Sequence, residues 1–216
     1  MLRNKHQFAI AEMFYSIQGE GHFAGTPAYF IRLAGCNREC PFCDTDHTVK
    51  FHGTAEEIVS IILARTKHIE LSPLTVILTG GEPFEQPINE IGLEIKDRCN
   101  WRVHVESNGE GQYKPIWPKP SDSWSYRAFD WLTISPKEQH ALNTMAGDEC
   151  KIVYPSNIDP NKYRRDNPDF ACWYIQPLWD KDEIKRQETM NQAIDFVKCN
   201  PVWRLSLQTH KMIGVQ

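Results

Sequence analysis

Three cysteines stand close together in the first quarter of the chain, and their spacing is typical of a metal-binding site. Cys36, Cys40 and Cys43 form the pattern Cys-x3-Cys-x2-Cys, with the aromatic Phe42 just before the last thiol. Three thiolates can hold three irons of a cubic 4Fe–4S cluster, which leaves the fourth iron without a protein ligand. Such an open iron can bind a substrate or cofactor directly, whereas a fully ligated electron-transfer cluster cannot.

Two other interpretations of these cysteines stay open on spacing alone. A structural zinc site takes four ligands, usually as paired Cys-x2-Cys knuckles. The fourth ligand here would have to be His47, His52 or a distant cysteine. A disulfide would leave one of the three thiols over. The spacing favours an iron–sulfur site over both.

Length and composition indicate one ordinary globular unit. The 216 residues suffice for a domain with a real core, and we predict a single domain over 1–216. The net charge of −4 gives no bulk attraction for nucleic acid or an anionic membrane, so neither is expected as a partner. No apolar run reaches a membrane span, and the first residues lack the apolar core of a signal peptide. Seven cysteines without an export signal favour the reducing cytoplasm.

The remaining four cysteines are scattered singly along the chain. Cys99, Cys150, Cys172 and Cys199 have no neighbouring thiol in sequence. Free cysteine behaves as a small hydrophobic residue. We therefore expect these four side chains to be buried and without function.

One stretch, 109–125, has the composition of a linker. It holds three prolines among glycine, serine and tryptophan. Prolines at this density exclude a helix and a central strand. Its two tryptophans argue against disorder, so we predict an ordered surface excursion and not a domain boundary.

Short apolar runs alternate with helical patterns along the rest of the chain. Strands are predicted at 28–34, 74–79, 102–106, 131–135, 151–154, 172–175 and 204–207. Helices are predicted at 54–66, 88–97 and 182–198. The first helix carries a capping box, with Thr54 as the cap and Glu57 three residues later.

The alternation of strand and crossover is typical of a parallel α/β architecture. Glycine-rich and polar segments follow the strands, as at Gly35-Cys36 and Gly80-Gly81. In a barrel of parallel strands these ends lie on one face, where active sites are built. Helical patterns are sparse in the second half, so we predict an incomplete parallel barrel of about six strands with few helices. A doubly wound flat sheet is the alternative.

The cysteine triplet, followed after the next strand by Gly80-Gly81-Glu82-Pro83, resembles the radical S-adenosylmethionine superfamily. In that superfamily S-adenosylmethionine chelates the open iron, and one electron from the cluster cleaves it to a 5′-deoxyadenosyl radical that abstracts a substrate hydrogen. Glycines without a Cβ would let the backbone approach the methionine portion of this cofactor. Taken alone, Gly-Gly-Glu-Pro is also typical of a simple turn into a helix.

A narrower resemblance extends over nearly the whole chain. The segments 14–36, 43–47, 135–137, 176–177 and 205–211 closely resemble the 7-carboxy-7-deazaguanine synthase family. Such enzymes convert 6-carboxy-5,6,7,8-tetrahydropterin to 7-carboxy-7-deazaguanine and release ammonia, in the pathway to deazapurine nucleosides such as queuosine. The resemblance implies a homodimer, a magnesium ion, and a flavodoxin or ferredoxin-type electron donor.

The resemblance also implies the site residues, with the chemistry itself carried by the cofactor radical and no protein residue acting as catalyst. Metal ligands would be Cys36, Cys40 and Cys43 for the 4Fe–4S cluster and Thr45 for magnesium. Substrate contacts would be Ile17, Gln18, Gly19, Glu20, Arg32, Thr79 and Gln216. Cofactor contacts would be Gly81, Glu82, Glu106, Ser135, Pro136, Lys137, Gln176, Pro177 and Leu178.

The residue types suit these roles. An amide and backbone groups at Gln18 match the donor–acceptor edge of a pterin, and Glu20 suits its guanidine-like end. The guanidinium of Arg32 suits a carboxylate, although a structural ion pair is the alternative for this residue. Magnesium prefers oxygen ligands, for which Asp44 is a second candidate beside Thr45.

Two rival functions share part of these features. A radical S-adenosylmethionine activase acting on a protein partner would share the cysteine triplet and Gly-Gly-Glu-Pro. It would not account for the run Gln18-Gly-Glu-Gly21 or for Cys43-Asp-Thr45. A non-catalytic zinc-binding module would leave the glycine motifs unexplained.

Overall fold

A computed structural model describes residues 6–69, 73–113, 128–139 and 146–216, and in these ranges one continuous sheet of nine strands forms. The strands are β1 (Phe8–Ile17), β2 (Pro27–Leu33), β3 (Phe51–Gly53), β4 (Thr75–Gly80), β5 (Arg102–Ser107), β6 (Trp131–Ile134), β7 (Gly147–Tyr154), β8 (Phe170–Pro177) and β9 (Arg204–Leu205). Their spatial order is β3-β1-β2-β4-β5-β6-β7-β8-β9. Every pair from β2 to β9 is parallel, whereas β1 is antiparallel to both β2 and β3.

Five helices lie in the described ranges. They are α1 (Ala55–Arg65), α2 (Asn89–Cys99), α3 (Pro160–Asp166), α4 (Glu183–Cys199) and α5 (Thr209–Ile213), with a 3-10 turn at Pro83–Glu85. The predicted capping box of α1 is confirmed: the Glu57 amide donates to the Thr54 hydroxyl and the Thr54 amide donates to the Glu57 carboxylate. Helices α1 and α2 pack together, and α4 packs on β7 and β8.

The two faces of the sheet have different surroundings. On β7, Cys150 and Ile152 belong to the core on the helical side, while Lys151 between them lines a cavity on the other side. Residues at the carboxyl ends of β2, β4, β5 and β8 line the same cavity. Within the described residues the sheet ends at β3 and β9 without closing. The predicted incomplete parallel barrel is therefore confirmed. It has six main parallel strands, β2 and β4–β8, followed by the short terminal strand β9.

The main core lies between the sheet and its helices. Apolar side chains of β2, β4 and β5 there meet those of α1 and α2, and the fully buried ones include Ile31, Val76, Val103, Ile58 and Ile95. Each such side chain contributes about 1.5–3 kcal/mol relative to exposure. A second, smaller cluster of Ala28, Phe30 and Ile77, with Phe14 packed against it, fills part of the concave side.

The structure also corrects several expectations. Strand β1 and the short helix α3, whose Tyr163 is fully buried, were not predicted. The predicted strand 204–207 has only two paired residues. Of the four scattered cysteines only Cys150 is buried, whereas Cys99 and Cys172 are half-buried and Cys199 is exposed, so the expectation that all four are buried is wrong. The excursion at 109–125 lies outside the described residues beyond 113. None of the described helices combines the length and the apolar composition that crossing a bilayer requires.

Candidate active site

The carboxyl ends of the parallel strands open onto one cavity of about 440 Å³. Parallel strands present these ends at a common edge, so residues far apart in sequence meet there. Of the predicted site residues, Glu82 and Pro136 do not line the cavity. Those that line it are Ile17, Gln18, Gly19, Glu20, Arg32, Cys36, Cys40, Cys43, Thr45, Thr79, Gly81, Glu106, Ser135, Lys137, Gln176, Pro177, Leu178 and Gln216.

The three cysteines lie on a loop between β2 and β3, residues 35–47, here called the cluster loop. Its ends are joined because the Gly35 amide donates to the His47 carbonyl at 2.9 Å. None of its thiols forms a disulfide. Burial raises the pKa of the Cys36 thiol, and Glu82 and the other two thiols act in the same direction. A positively charged metal group would favour the thiolate form of Cys36, which fits a cluster.

A single metal ion fits the loop less well than a cluster does. Within the described ranges, no three His, Cys, Asp or Glu side chains are placed to share one metal ion. Zinc requires its ligands to converge on one centre, whereas an iron–sulfur cluster takes each thiolate on a different iron.

Two glycines let the end of β4 pack directly against the start of the cluster loop. A Cβ on Gly81 would lie 1.7 Å from the Gly35 carbonyl oxygen and 3.2 Å from the Cβ of Cys36. Gly80 has φ +121°, and a Cβ there would lie 2.4 Å from the Leu33 carbonyl oxygen. The Gly81 amide donates to Leu33 and the Glu82 amide to Gly35. The glycine pair is therefore required by the protein's own packing, in addition to any role toward a cofactor.

Arg38 ties the cluster loop to the opposite rim of the cavity. Its guanidinium forms ion pairs with Glu110, after β5, and with Glu138, after β6. Beside it, the Asn108 amide group donates to Asn37 Oδ1 at 2.8 Å. These contacts fix the loop relative to the ends of β5 and β6.

Glu82 is completely buried behind the cavity wall. Its carboxylate accepts hydrogen bonds from the Ser107 hydroxyl (2.7 Å), the Asn108 amide (2.7 Å) and the Phe84 amide (3.0 Å). Burial raises its pKa, although these three bonds oppose the rise. In this structure Glu82 holds the end of β4 to the end of β5.

The loop between β1 and β2, residues 18–26, carries the predicted pterin contacts. Its base is closed by the Gln18 amide donating to Thr26 and the Gly25 amide donating to Gln18. A Cβ on Gly19 would lie 2.0 Å from Nδ1 of His210, so glycine is required where this loop meets α5. The Thr209 amide and hydroxyl both donate to the Gly19 carbonyl.

A network of charged groups joins this loop to the floor of the cavity. The Lys151 ammonium forms an ion pair with Glu20 and lies 3.9 Å from a Glu106 oxygen. The Gln18 amide group donates to the same Glu106 at 2.8 Å, and the Gln208 amide group donates to Glu20 at 2.8 Å. Burial opposes ionisation of Glu20, but the charge and hydrogen bond of Lys151 outweigh it and lower the pKa of Glu20 to about 2.

Arg32 projects from β2 into the cavity and is held on two sides. Its guanidinium lies 3.0 Å from the carboxylate of Glu12, the residue opposite it in the β1–β2 register. It also lies 5.0 Å above the ring of Phe14, which is stacked on Phe30. The ion pair that sequence reasoning left open for Arg32 therefore exists, and it uses one of the nitrogens of the guanidinium group.

Lys137 presents a second ammonium to the cavity. Its Nζ lies 3.2 Å from the Ser135 hydroxyl. Among the described residues, no carboxylate oxygen lies within 4 Å of it. Burial lowers the pKa of Lys137. This ammonium is available to an anionic ligand group.

The predicted contacts on β8 are held from both sides. The Gln176 side-chain oxygen accepts from the Ser206 hydroxyl at 3.0 Å, and the Leu178 amide donates to Tyr154 at 2.8 Å. These bonds fix the turn 176–178 at the cavity edge.

The carboxyl-terminal segment, residues 208–216, contributes to the cavity wall opposite the sheet. Lys211 forms an ion pair with Asp44 in the cluster loop and lies 5.2 Å above the ring of Trp179. The Gln216 side chain bonds to Glu12. Asp44, the second candidate magnesium ligand, is thus already paired with an ammonium, whereas the half-buried Thr45 lines the cavity.

Sequence reasoning missed Lys151, Gln208 and Trp179 as lining residues. For Lys151 a signal existed: a charged residue stands between Cys150 and Ile152, and the segment 150–154 is otherwise apolar. Such a charge in a strand covered by helices on one face points to an enclosed polar interior on the other. Gln208 and Trp179 gave no comparable signal.

The same chain resembles known proteins over almost its full length. It is 35% identical to the 7-carboxy-7-deazaguanine synthase of Bacteroides thetaiotaomicron, covering 96% of this chain and 98% of that protein. It is 33% identical to the enzyme of that name from Burkholderia multivorans, with 96% and 99% covered. The Synechocystis synthase is 32% identical, with 97% and 94% covered.

A solved structure supports the fold. The chain superposes on the crystal structure of QueE from Escherichia coli with a TM-score of 0.68 and 22% sequence identity, covering 93% of both chains. No protein-family model matches the chain. Since the three relatives exceed 30% identity over nearly the whole sequence, the chain belongs to the 7-carboxy-7-deazaguanine synthase family.

Proposed function

We propose that this chain converts 6-carboxy-5,6,7,8-tetrahydropterin to 7-carboxy-7-deazaguanine with release of ammonia. The observation that carries the proposal is that one cavity holds the three thiols of the cluster loop and the β1–β2 loop with its amide and carboxylate groups. Family membership makes the same chemistry the expected one. A 4Fe–4S cluster with S-adenosylmethionine, when bound, supplies one-electron chemistry that removes a hydrogen atom from the substrate.

The protein's own residues would bind and orient the reactants. Cys36, Cys40 and Cys43 would hold the cluster. The Lys137 ammonium, with no carboxylate partner in the described ranges, suits the carboxylate of S-adenosylmethionine. Gly81 lies against Cys36 and would place the end of β4 beside the same cofactor.

The pterin would lie between the β1–β2 loop and β2. Glu20 would accept the N–H groups of its amino-pyrimidinone edge, and Gln18 would meet the same edge. Arg32 lies toward β1 and would face the carboxylate at the other end. Thr79 and Gln216 also line this part of the cavity.

Thr45 would hold magnesium through its hydroxyl, and the ion would supply a positive charge to the substrate carboxylate. This ion keeps several waters and needs few protein oxygens, so one hydroxyl together with a substrate carboxylate is a suitable set. Asp44 is a weaker candidate because it is paired with Lys211. Product formation should rise with added magnesium and fall for Thr45→Val.

The chain would act as a single domain over 1–216 in the cytoplasm. It would receive electrons from a flavodoxin or ferredoxin-type protein. We expect it to form a homodimer. Exposed apolar residues support an interface: Met212 and Ile213 are 58% and 61% exposed, and Tyr15 on β1 is 44% exposed. Their segments are joined because the Ser16 hydroxyl donates to the Gln216 carbonyl. Light scattering of the purified protein would measure the oligomeric state.

Anaerobic reconstitution tests the function. The protein is loaded with iron and sulfide and given reductant, S-adenosylmethionine, magnesium and 6-carboxy-5,6,7,8-tetrahydropterin. We expect 7-carboxy-7-deazaguanine, identified by absorbance and mass. Product should disappear in Cys40→Ala and persist in the matched control Cys199→Ala, an exposed cysteine outside the cavity.

Two outcomes would overturn the proposal at different levels. A brown protein that cleaves S-adenosylmethionine but leaves the pterin unchanged would refute the substrate assignment. It would favour an activase that acts on a protein partner. A colourless protein that binds only zinc would remove the radical chemistry altogether.

A further inference from the structure

Lys151 is the most enclosed charged group in the floor of the cavity. Its side chain is 4% exposed, and it lies near the centre of β7, opposite Tyr174 of β8. Two carboxylates face it: Glu20 from the β1–β2 loop and Glu106 from β5. In the described ranges, no other Lys or Arg nitrogen lies within 4 Å of the Glu20 carboxylate. A buried ammonium in this position can only be retained by such partners.

The hydrogen bonds around Lys151 fix the direction of the Glu20 carboxylate. One oxygen of Glu20 accepts from Gln208 and the other is paired with Lys151. The Glu20 amide in turn donates to the side chain of Gln18, whose amide group donates to Glu106. The loop carrying Glu20 is therefore tied at its side chain and its backbone to the same lysine-centred network.

The network also determines whether Glu20 is charged. Burial alone would raise the pKa of Glu20, and the opposing charge of Lys151 lowers it to about 2. The other groups acting on this network are Glu106 on β5, Glu149 on β7, His210 on α5 and Lys137 after β6. Among the groups that lower the pKa of Glu20, Lys151 has the largest effect. Without Lys151, burial would be opposed only by the Gln208 hydrogen bond and the charge of His210, so the pKa of Glu20 would rise.

We propose that Lys151 is a positioning residue that fixes Glu20 as a charged acceptor and thereby sets specificity for ligands with a 2-amino-4-oxopyrimidine edge. A carboxylate with one fixed orientation accepts two parallel N–H groups, which is the pattern of an amino group beside a ring N–H. A 2,4-dioxopyrimidine edge lacks the amino donor and leaves one carboxylate oxygen unpaired. This inference rests on the proposed function only for the identity of the pterin.

Binding of two ligands that differ in this edge tests the inference. The reconstituted enzyme, with S-adenosylmethionine and magnesium but no reductant, is titrated with 6-carboxypterin and with 6-carboxylumazine, in which oxygen replaces the 2-amino group. Bound ligand is measured by ultrafiltration. We expect wild type to prefer the pterin by about 10- to 100-fold, the range of a charge-assisted hydrogen bond. Lys151→Met should reduce the preference to within about threefold, and Lys151→Arg should retain part of it.

The pH profile separates this role from a purely structural one. In Lys151→Met the affinity for 6-carboxypterin should fall as pH decreases from 8 to 6, because the pKa of Glu20 is no longer held down and the carboxylate becomes protonated. Wild-type affinity should stay nearly flat over the same range. Lys185→Met, which removes an exposed lysine on α4, should behave like wild type.

Each contrary outcome has a distinct meaning. Equal weakening of both ligands with the preference preserved would show a structural role and overturn the inference, as would a wild type without preference. If Lys151→Met does not fold, Gln208→Leu removes the other side-chain hydrogen bond to Glu20 and should lower the preference severalfold; an unchanged preference there contradicts the inference. A wild type that prefers 6-carboxypterin but yields no product from the tetrahydropterin would refute the proposed function alone.

Discussion

The closest packing in the site is made by a residue with no side chain. Gly81 places its α-carbon where any Cβ would lie 1.7 Å from the carbonyl oxygen of Gly35, the residue that precedes Cys36. The obstacle is backbone, so it cannot rotate away. Gly81→Ala must push the cluster loop out. We expect the variant to lose about 1–3 kcal/mol of stability, and to hold less than half as much iron after reconstitution as the wild type.

Iron analysis and thermal unfolding check this expectation. Gly53→Ala is the matched control, since its nearest contact would be an ordinary 3.5 Å from Ile58. Full iron content and an unchanged Tm in Gly81→Ala would mean that the β4 end and the loop can separate without cost.

A second residue-scale prediction concerns pH. His104 on β5 is 5% exposed and lies 4.5 Å from the ring of Phe23, and burial lowers its pKa from 6.5 to about 4. The unfolded chain therefore binds more protons between these values, so stability is complete above pH 6.5 and falls as pH decreases toward 4, by up to about 3 kcal/mol. His104→Phe should flatten this part of the profile.

Chemical denaturation at pH 7.0 and 4.5 measures the difference. The control is His68→Phe, an exposed histidine, which should keep the wild-type slope. An identical pH dependence in wild type and His104→Phe would show that other groups cause the loss of stability at low pH.

The resemblance to a known family predicted much of the candidate site, but not the contacts that hold it. Cys36, Lys137 and the other predicted lining residues could be named because they match motifs of that family, and the structure brings them to one cavity. The buried position of Glu82 could not be foreseen, because it depends on Ser107 and Asn108 at the end of another strand. The register between two strands determines which of their side chains meet, and no local sequence pattern determines that register.

At the scale of elements, local signals succeeded where the stabilising contact is also local. The Thr54–Glu57 capping box is complete within four residues and formed as predicted. Removing it in Thr54→Ala should cost about 1 kcal/mol and lower Tm by roughly 2–4 °C. Thr48→Ala, at an exposed position outside the helices and strands, is the control, and equal Tm values for the two variants would contradict the role of the cap.

Elements that depend on distant partners were missed or wrongly bounded. Helix α3 is only seven residues long, too short for a periodic pattern, and its Pro160 and Asp159 cap are clear only once the helix is known. Strand β9 has only two residues in register with β8, Arg204 and Leu205. The parallel strands were predictable because short apolar stretches alternate with helical patterns and turn residues along the chain.

At the scale of the whole molecule, the cavity joins the two ends of the chain. Residues of β1 and the β1–β2 loop form one wall, and the segment 208–216 meets that wall at Gly19 and Glu12. The same segment reaches the cluster loop through Lys211 and Asp44. A ligand bound between the β1–β2 loop, the segment 208–216 and the cluster loop would therefore stabilise the contacts among these three segments.

Hydrogen exchange can test this coupling directly. Binding of 6-carboxypterin should slow exchange at 208–216 as well as at 17–26, because both segments border the ligand, and exchange on the exposed face of α4 should not change. Lys211→Met removes the link to Asp44, so its 208–216 segment should exchange faster without ligand and lose at least half of the protection that ligand gives. Arg165→Met, an exposed cation on α3, serves as control. If the pterin protects 17–26 but leaves 208–216 unchanged in wild type, the carboxyl-terminal segment takes no part in holding the substrate, and the cavity is closed from the β1 side alone.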